Sequence, residues 1–304
     1  MSDVNEAADV AEKMAPLVIR ILAHLPTPWK GKRPQQPSDQ QMPSTDVAAI
    51  KELQESGLQV AYYKGAAIEV EAFQQAQDKE ANRLASNALN TASMIDPDLD
   101  WTKEDVDALD AEFLHRWALE ASNVSDETLQ MLWAKLLEGE LNSPGSVSND
   151  TMSIARDMNK ARAEEFRLLC SAALYNWEGI PSIVIGLGNP GGNSLQPYGL
   201  SYNVLMKLAH HRLIVNDMSS YRTISGGSLG PIYPVKHQGM SYVLRASPQH
   251  DAASGLRISG ILFTPAGEEL ARVVEHIPMP EYTQAMIEDL KKAGWDVLPV
   301  NDAS

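Results

Sequence analysis

The 304-residue chain contains a single cysteine, Cys170, and only four phenylalanines. One thiol cannot form an internal disulfide, which excludes the disulfide-stabilised secreted scaffolds and favours a reducing cytoplasm. Cationic residues are also scarce, with 25 Lys and Arg against 40 Asp and Glu, a formal net charge of −15. This charge argues against a chain whose whole surface contacts nucleic acid, although it leaves room for a local basic patch.

Long apolar runs are absent as well. The longest apolar stretch of the N-terminal region, residues 17–25, is too short to span a bilayer, and the acidic residues before it do not fit a signal peptide. Its spacing predicts an amphipathic helix, and the mixed flanking charge favours docking on protein over docking on a membrane. Five prolines between residues 26 and 45 indicate an extended linker. We therefore expect a cytoplasmic protein without a transmembrane segment.

The strongest local pattern lies in residues 125–174, where three apolar stripes of helical period follow one another. Ser125 with two acidic neighbours predicts the start of the first helix, and Ser148 or Asn149 caps the second. Burying large side chains at roughly 1.5–3 kcal/mol each makes these helices a folding core. We expect their polar residues, including Glu138 and Glu140, to face solvent and to build no reaction centre.

The same stretch resembles the uncharacterised bacterial family known as domain of unknown function 2806. The resemblance lies in a Leu-Trp-Ala-Lys-Leu-Leu helix, a Pro-Gly-Ser turn and a following helix with phenylalanine, and it extends weakly from Asn82 to the C-terminus. It implies a fold and no catalytic residue, so we assign the motif side chains a structural role. They are Leu132, Trp133, Leu136, Leu137, Glu140, Pro144, Gly145 and Phe166.

The Leu-Trp-Ala helix also resembles, more loosely, the abortive-infection proteins of the alpha type. That resemblance implies a setting in phage defence, with a protein partner or self-association. The helix predicted for residues 66–94 has only a thin alanine stripe, which is typical of a helix that packs closely on others or self-associates.

Acidic and histidine-containing segments offer candidate metal ligands. Residues 96–107 imitate the first ligands of a calcium loop, but Trp101 stands where the turn needs glycine. Thr102 and Asp105 instead predict a capping box. His210 and His211 are adjacent on a predicted helix and point about 100° apart, which disfavours a shared metal. Cys170 lies on an apolar stripe as an inert thiol. We predict no metal site, no cofactor and no catalytic residue.

Residues 183–192, which read IVIGLGNPGG, resemble the opening motif of bacterial peptidyl-tRNA hydrolases, in which a histidine about eight residues later acts as the base. Gly199 occupies that position here, and the next histidine is His210. Without an imidazole no side chain accepts the proton from the attacking water. We interpret residues 186–192 as a glycine- and proline-rich connection, and peptidyl-tRNA hydrolysis remains a remote alternative.

The C-terminal region predicts a helix near residues 202–209, β-prone segments and a helix that begins at Thr264. This order resembles the back half of a winged-helix domain. From residue 198 to 263 there are six Lys and Arg against two Asp, a local excess that nucleic-acid binding requires. The alternative is that these cations pair with the acidic helical half or are solvated. The candidate contacts are Arg212, Arg222, Lys236, Arg245 and Arg257.

Together these patterns predict a mainly α protein with a smaller winged-helix-like α+β domain at its C-terminus. We expect four regions: an N-terminal helix and linker (1–45), a polar, alanine-rich helical region (46–95), a central helical domain (96–176) and the winged-helix-like domain (177–304). The predicted function is a non-catalytic interaction module, with nucleic-acid-binding regulation as the alternative.

Overall fold

The computed structural model describes residues 76–96, 102–218, 220–224, 232–246 and 256–300, together with residues 14, 16–18, 20, 21, 23, 62, 63, 66 and 67. The contacts between residues divide the chain into two compact units, Met1–Val147 and Ser148–Ser304.

The described part of the first unit is built mainly from helices that begin at side-chain caps. Thr102 and Asp105 form the predicted capping box, in which each side chain accepts a hydrogen bond from the other residue's backbone N–H. Asp126, one residue after the predicted start, caps the family-motif helix. The helices are α1 (Ala76–Ser93), α2 (Lys103–Ala108), α3 (Ala111–Ser122) and α4 (Glu127–Asn142).

Two tryptophans form the centre of this helical core. Trp117 on α3 and Trp133 on α4 are almost completely buried. The indole Nε1 of Trp117 donates a hydrogen bond to the carbonyl oxygen of Trp133 at 2.8 Å, so the one polar atom of this large side chain has a partner. The small residues Ala88 and Ala92 of α1 are fully buried, and α1 packs against both α3 and α4. The thin alanine stripe is therefore a site of close helix packing.

The predicted N-terminal amphipathic helix docks on protein, as expected. The described residues from 14 to 23 are helical, and Leu17 and Ile21 are fully buried. Arg20 donates hydrogen bonds to the carbonyl oxygens of Val106 and Leu109 near the end of α2. The predicted start of the long helix at Ala66 is wrong, because residues 66–67 pair with residues 62–63 as two short strands, β2 and β1. The linker at residues 26–45 lies outside the described residues.

The second unit combines helices with a seven-stranded sheet, in which every described pair of strands is antiparallel. The helices are α5 (Asn149–Arg156), α6 (Lys160–Ser171), α7 (Tyr202–His210), α8 (Pro265–Ala271) and α9 (Pro280–Lys292). The strands are β3 (Ala173–Tyr175), β4 (Pro181–Ile185), β5 (Tyr221–Ile224), β6 (Ile232–His237), β7 (Met240–Ala246), β8 (Leu256–Ile261) and β9 (Trp295–Val300). Their order across the sheet is β5-β8-β4-β3-β6-β7-β9.

This sheet contradicts the predicted fold class of a mainly α protein with a winged-helix-like domain. A winged helix needs only a small hairpin, whereas here β4 pairs with both β3 and β8, and β9 adds to β7. Most of these pairings join segments that are far apart in the sequence, and such pairing leaves no local pattern. The individual elements agree with the prediction: the helix α7, the β-prone segments that form β7 and β8, and the capped helix α8 at Thr264.

Candidate interaction surface

The carboxylate of Glu140 closes the turn that ends α4. Its Oε1 accepts a hydrogen bond from the N–H of Gly145 at 2.6 Å, and its Oε2 accepts one from the N–H of Val147 at 3.1 Å. Glu140 is only 2% exposed, and Gly145 has a positive φ of 82° that a side chain would strain. The motif residues of this helix and turn therefore act as one unit, in which the carboxylate satisfies backbone donors.

The second acidic residue of α4 has a similar role. Glu138 accepts a hydrogen bond from the N–H of Asp96 and pairs with Lys135, both at 2.8 Å, and it is 7% exposed. The prediction that Glu138 and Glu140 face solvent is therefore wrong, because free N–H groups of neighbouring loops draw both carboxylates inward. The remaining motif residues are buried, except for the turn residues Pro144 and Gly145.

In the second unit, the half-buried Glu269 and the buried His237 also bond to nearby structure. Glu269 accepts hydrogen bonds from the N–H of Ser148 at 2.7 Å and from the hydroxyl of Thr151 at 2.6 Å. His237 lies 2.9 Å from the carbonyl oxygen of Ala173 through Nδ1 and 2.9 Å from the Thr283 hydroxyl through Nε2. Burial lowers the pKa of His237 below its ordinary value. These contacts assign both groups a structural role.

Cys170 lies in the core as an inert thiol. It is fully buried, and burial raises the pKa of its thiol well above the ordinary value. The hydroxyl of Tyr175 donates to the carbonyl oxygen of Cys170 at 3.1 Å, and Nε2 of His276 lies 2.9 Å from the same hydroxyl. Among the residues that the structure describes, no three His, Cys, Asp or Glu side chains are grouped to hold a metal ion.

The IVIGLGNPGG motif forms β4 and the loop after it. The strand ends at Ile185, and residues 190–192 form a short 3-10 turn, as expected for a connection. The side chain of Asn189 folds back over the turn, since a Cβ at Gly192 would lie 3.2 Å from its Nδ2. His210 stands at the end of α7.

The five cations predicted to contact nucleic acid differ in their surroundings. Arg222 pairs with Glu268 at 3.1 Å and Arg245 with Asp296 at 2.9 Å. The other three comprise two that lie over aromatic rings and one exposed residue after α7. Lys236 Nζ is 4.9 Å from the centre of the Trp177 ring, the Arg257 guanidinium is 4.4 Å from the Tyr221 ring, and Arg212 is the exposed residue.

The register brings Lys236 and Arg245 onto one face of the sheet. Directly opposite residues share a face, and alternate residues along a strand do the same. On β6, Ile232, Pro234 and Lys236 are alternate residues and therefore share a face. Ile232 lies opposite Arg245 of β7, and Pro234 lies opposite Val243. On β9, Leu298 lies opposite Val243, and Asp296 lies opposite Arg245. We call this surface the sheet patch, and it comprises Ile232, Pro234, Lys236, Val243, Arg245, Asp296 and Leu298.

The sheet patch carries exposed apolar side chains among its charged ones. The opposite face of the same strands is buried, with Val235, Leu244 and Trp295 in the core. In an antiparallel sheet with one buried face, the other face is ordinarily polar. Here Ile232 and Leu298 are each 42% exposed, and the adjacent Trp177 is 57% exposed. The sequence signal for this patch was the run of β-branched residues in β-prone segments, but only strand pairing reveals which of them lie together.

The described residues form an α+β protein with a helical first unit and, in the second unit, an antiparallel sheet that displays an apolar, charge-bearing patch. The family model described as protein of unknown function (DUF2806) matches residues 69–287. The chain belongs to this family, which confirms the resemblance predicted from the Trp133 helix. No curated protein and no solved structure matches the chain. Among the described residues, no helix has the length and apolarity that crossing a bilayer requires.

Proposed function

We propose that this protein is a non-catalytic interaction module that self-associates through the sheet patch. The observation that carries the proposal is the apolar surface of Ile232 and Leu298 on the exposed side of β6, β7 and β9, beside the exposed ring of Trp177. Contiguous exposed apolar surface with a polar rim is typical of protein–protein contacts.

Charge complementarity favours a second copy of the chain as the occupant. The sheet patch carries both Arg245 and Asp296, with side chains 53% and 37% exposed. In a two-fold symmetric dimer the same patch faces itself, so each copy offers the other an anion for its cation. The apolar side chains and the Arg245–Asp296 pair of one copy can therefore face those of the other. The two sheets would stack face to face at the usual distance of about 10 Å.

The supporting argument against catalysis comes from four buried or half-buried ionisable groups. Glu138, Glu140, Glu269 and His237 bond to backbone groups or neighbouring hydroxyls, so their hydrogen-bonding capacity is used in holding the fold. A setting in phage defence and a cytoplasmic location are part of this proposal. They rest on the looser resemblance and on the single cysteine, respectively.

Sedimentation velocity over a range of protein concentrations tests the self-association. We expect a concentration-dependent dimer in the wild type and a dissociation constant at least about tenfold weaker in Leu298→Lys, because the substitution buries a charge in the apolar centre. Val215→Lys is the matched control, since Val215 is 37% exposed, lies after α7 and receives the same added charge. A wild type that remains monomeric at every concentration contradicts the proposal.

Single-stranded nucleic acid is the second candidate, favoured by the two aromatic–cation pairs. Trp177 with Lys236 and Tyr221 with Arg257 combine exposed rings with cations, a combination used to stack bases and contact phosphates. The charge distribution also favours the second unit: residues 148–304 carry 13 Lys and Arg against 15 Asp and Glu, a net of −2. Residues 1–147 carry 12 against 25, a net of −13.

One pair of variants distinguishes self-association from binding of single-stranded nucleic acid. Arg257→Gln, which lies outside the sheet patch, should leave the dimer unchanged but weaken binding to a fluorescent single-stranded oligonucleotide and lower the salt slope by about 0.7 if one phosphate contact is lost. Leu298→Lys should do the reverse. Lys292→Gln, at the exposed end of α9, controls for net charge. Oligonucleotide binding that is absent at low salt removes the second candidate.

A further inference from the structure

The surface between α6 and α7 forms a cleft of about 500 Å³, apart from the sheet patch and from the family motif. Its lining is Arg162 on α6 with Asn203, Met206, Lys207, His210 and His211 on and just after α7. Every lining side chain except Met206 is cationic, can become cationic, or is an amide. None of the lining residues is a carboxylate, although the chain as a whole is strongly acidic. We call this surface the basic cleft.

A carboxylate outside the lining holds two of the cations in position. Glu165 pairs with Arg162 at 2.5 Å and with Lys207 at 3.4 Å, so one anion on α6 links the two helices. One carboxylate does not neutralise two permanent cations. The Nε of Arg162 is buried and finds no hydrogen-bond partner among the described residues. A buried donor of this kind costs free energy unless something accepts from it.

Beside these permanent cations lie His210 and His211, of which His211 can gain a proton. Their rings pack edge to face with centres 5.7 Å apart. Burial lowers the pKa of His211, and the positive charges of Arg162 and His210 lower it further, while Asp157 and Glu165 act in the opposite direction. His211 therefore senses a net positive surrounding, and an anion bound in the cleft would favour its protonated form.

From this geometry we propose that the basic cleft binds the phosphate group of a small phosphorylated molecule. A doubly charged oxyanion suits the permanent cations Arg162 and Lys207, and the imidazoles and the Asn203 amide supply further donors. The cleft is open to solvent, so a phosphate group can reach its cations while the rest of the molecule stays partly exposed. Met206 offers the one apolar wall against which the rest of such a molecule packs.

Isothermal titration calorimetry at constant ionic strength tests the site, with inorganic pyrophosphate and ATP as probes in phosphate-free buffer. We expect saturable one-site binding and about tenfold weaker affinity in Lys207→Gln, because one charge-assisted contact is lost. Lys207 has a 54% exposed side chain, so its replacement leaves the core intact. Lys291→Gln, in the last turn of α9, removes the same charge elsewhere and should change affinity by less than about twofold.

Sulfate provides an independent readout, because this dianion does not titrate between about pH 5 and 8 where histidine does. Its affinity should rise as the pH falls, since protonated His211 adds charge beside Arg162 and Lys207, while Asp157 and Glu165 oppose this effect. The double variant His210→Gln, His211→Gln should lose this pH dependence and keep weak binding.

Equal loss of affinity in Lys207→Gln and Lys291→Gln would overturn the proposal, because binding would then follow net charge alone. Binding of a single-stranded oligonucleotide without binding of pyrophosphate or ATP would also overturn it, in favour of a polymer-binding surface. Self-association is measured separately at the sheet patch, so failure of one proposal leaves the other standing.

Discussion

Replacing Glu140 by glutamine should loosen the turn between α4 and α5 and destabilise the first unit. The carboxylate accepts from two backbone N–H groups, at Gly145 and Val147, in a site that is 2% exposed. Glutamine keeps the shape but has only one accepting oxygen, and its NH₂ group then faces a backbone donor. Hydrogen bonds to charged groups contribute about 1.5–3 kcal/mol each, so we expect a loss of about 2–3 kcal/mol.

Amide hydrogen exchange measures this effect at the two donors. A local loss of that size should accelerate exchange at Gly145 and Val147 by about 30- to 150-fold, given 1.4 kcal/mol per factor of ten. Urea unfolding followed by circular dichroism should show a lower midpoint. Glu112→Gln is the control, because the Glu112 side chain is 75% exposed and its pairing distance to Arg116 is 4.0 Å. Exchange at both amides within about threefold of the wild type would refute the reasoning.

Two further predictions concern the second unit. Burial lowers the pKa of His237 in the folded state. Below the unfolded value of about 6.5 the unfolded chain therefore binds more protons than the folded chain, and the free energy of unfolding falls as the pH falls. His237→Gln should reduce this pH dependence in urea titrations between about pH 7 and 5. A slope unchanged by the substitution contradicts this assignment. Gly260→Ala should prevent stable folding, because a Cβ at Gly260 would lie 2.1 Å from the carbonyl oxygen of Val184 in the adjacent strand. Thermal unfolding close to that of the wild type would show that the close approach of the two strands is not required.

The helix starts were predictable because their signals act over a few residues. Thr102, Ser148 and Thr264 each accept a hydrogen bond from the N–H three positions later, so the pattern and the contact occupy the same short window. The apolar stripe of the Trp133 helix likewise identified a buried face. The same pattern could not show that Glu138 is buried, because its partner Asp96 lies 42 positions away in the sequence.

The sheet patch and the basic cleft were not predictable for the same reason. The sequence pattern marked Lys236 and Arg245 as cations of a β-prone region, but their shared face depends on the register of β6 against β7. Lys207 was one of the six Lys and Arg counted between residues 198 and 263, and its neighbour Glu165 belongs to a helix that begins more than thirty residues earlier. Each residue was visible, whereas the surface that it helps to form was not.

By itself, the sequence determined the family, the capped helices, the inert buried thiol and the charge imbalance between the two halves. Only the tertiary structure decided that seven antiparallel strands replace the expected winged helix, that Glu138 is buried against the backbone of Asp96, and that apolar side chains gather on an exposed sheet face. The physical reason is the distance along the sequence between the residues that interact. Caps and helical stripes depend on interactions over three or four residues, whereas strand pairs such as Val184 with Ile261 depend on segments that meet only when the chain folds.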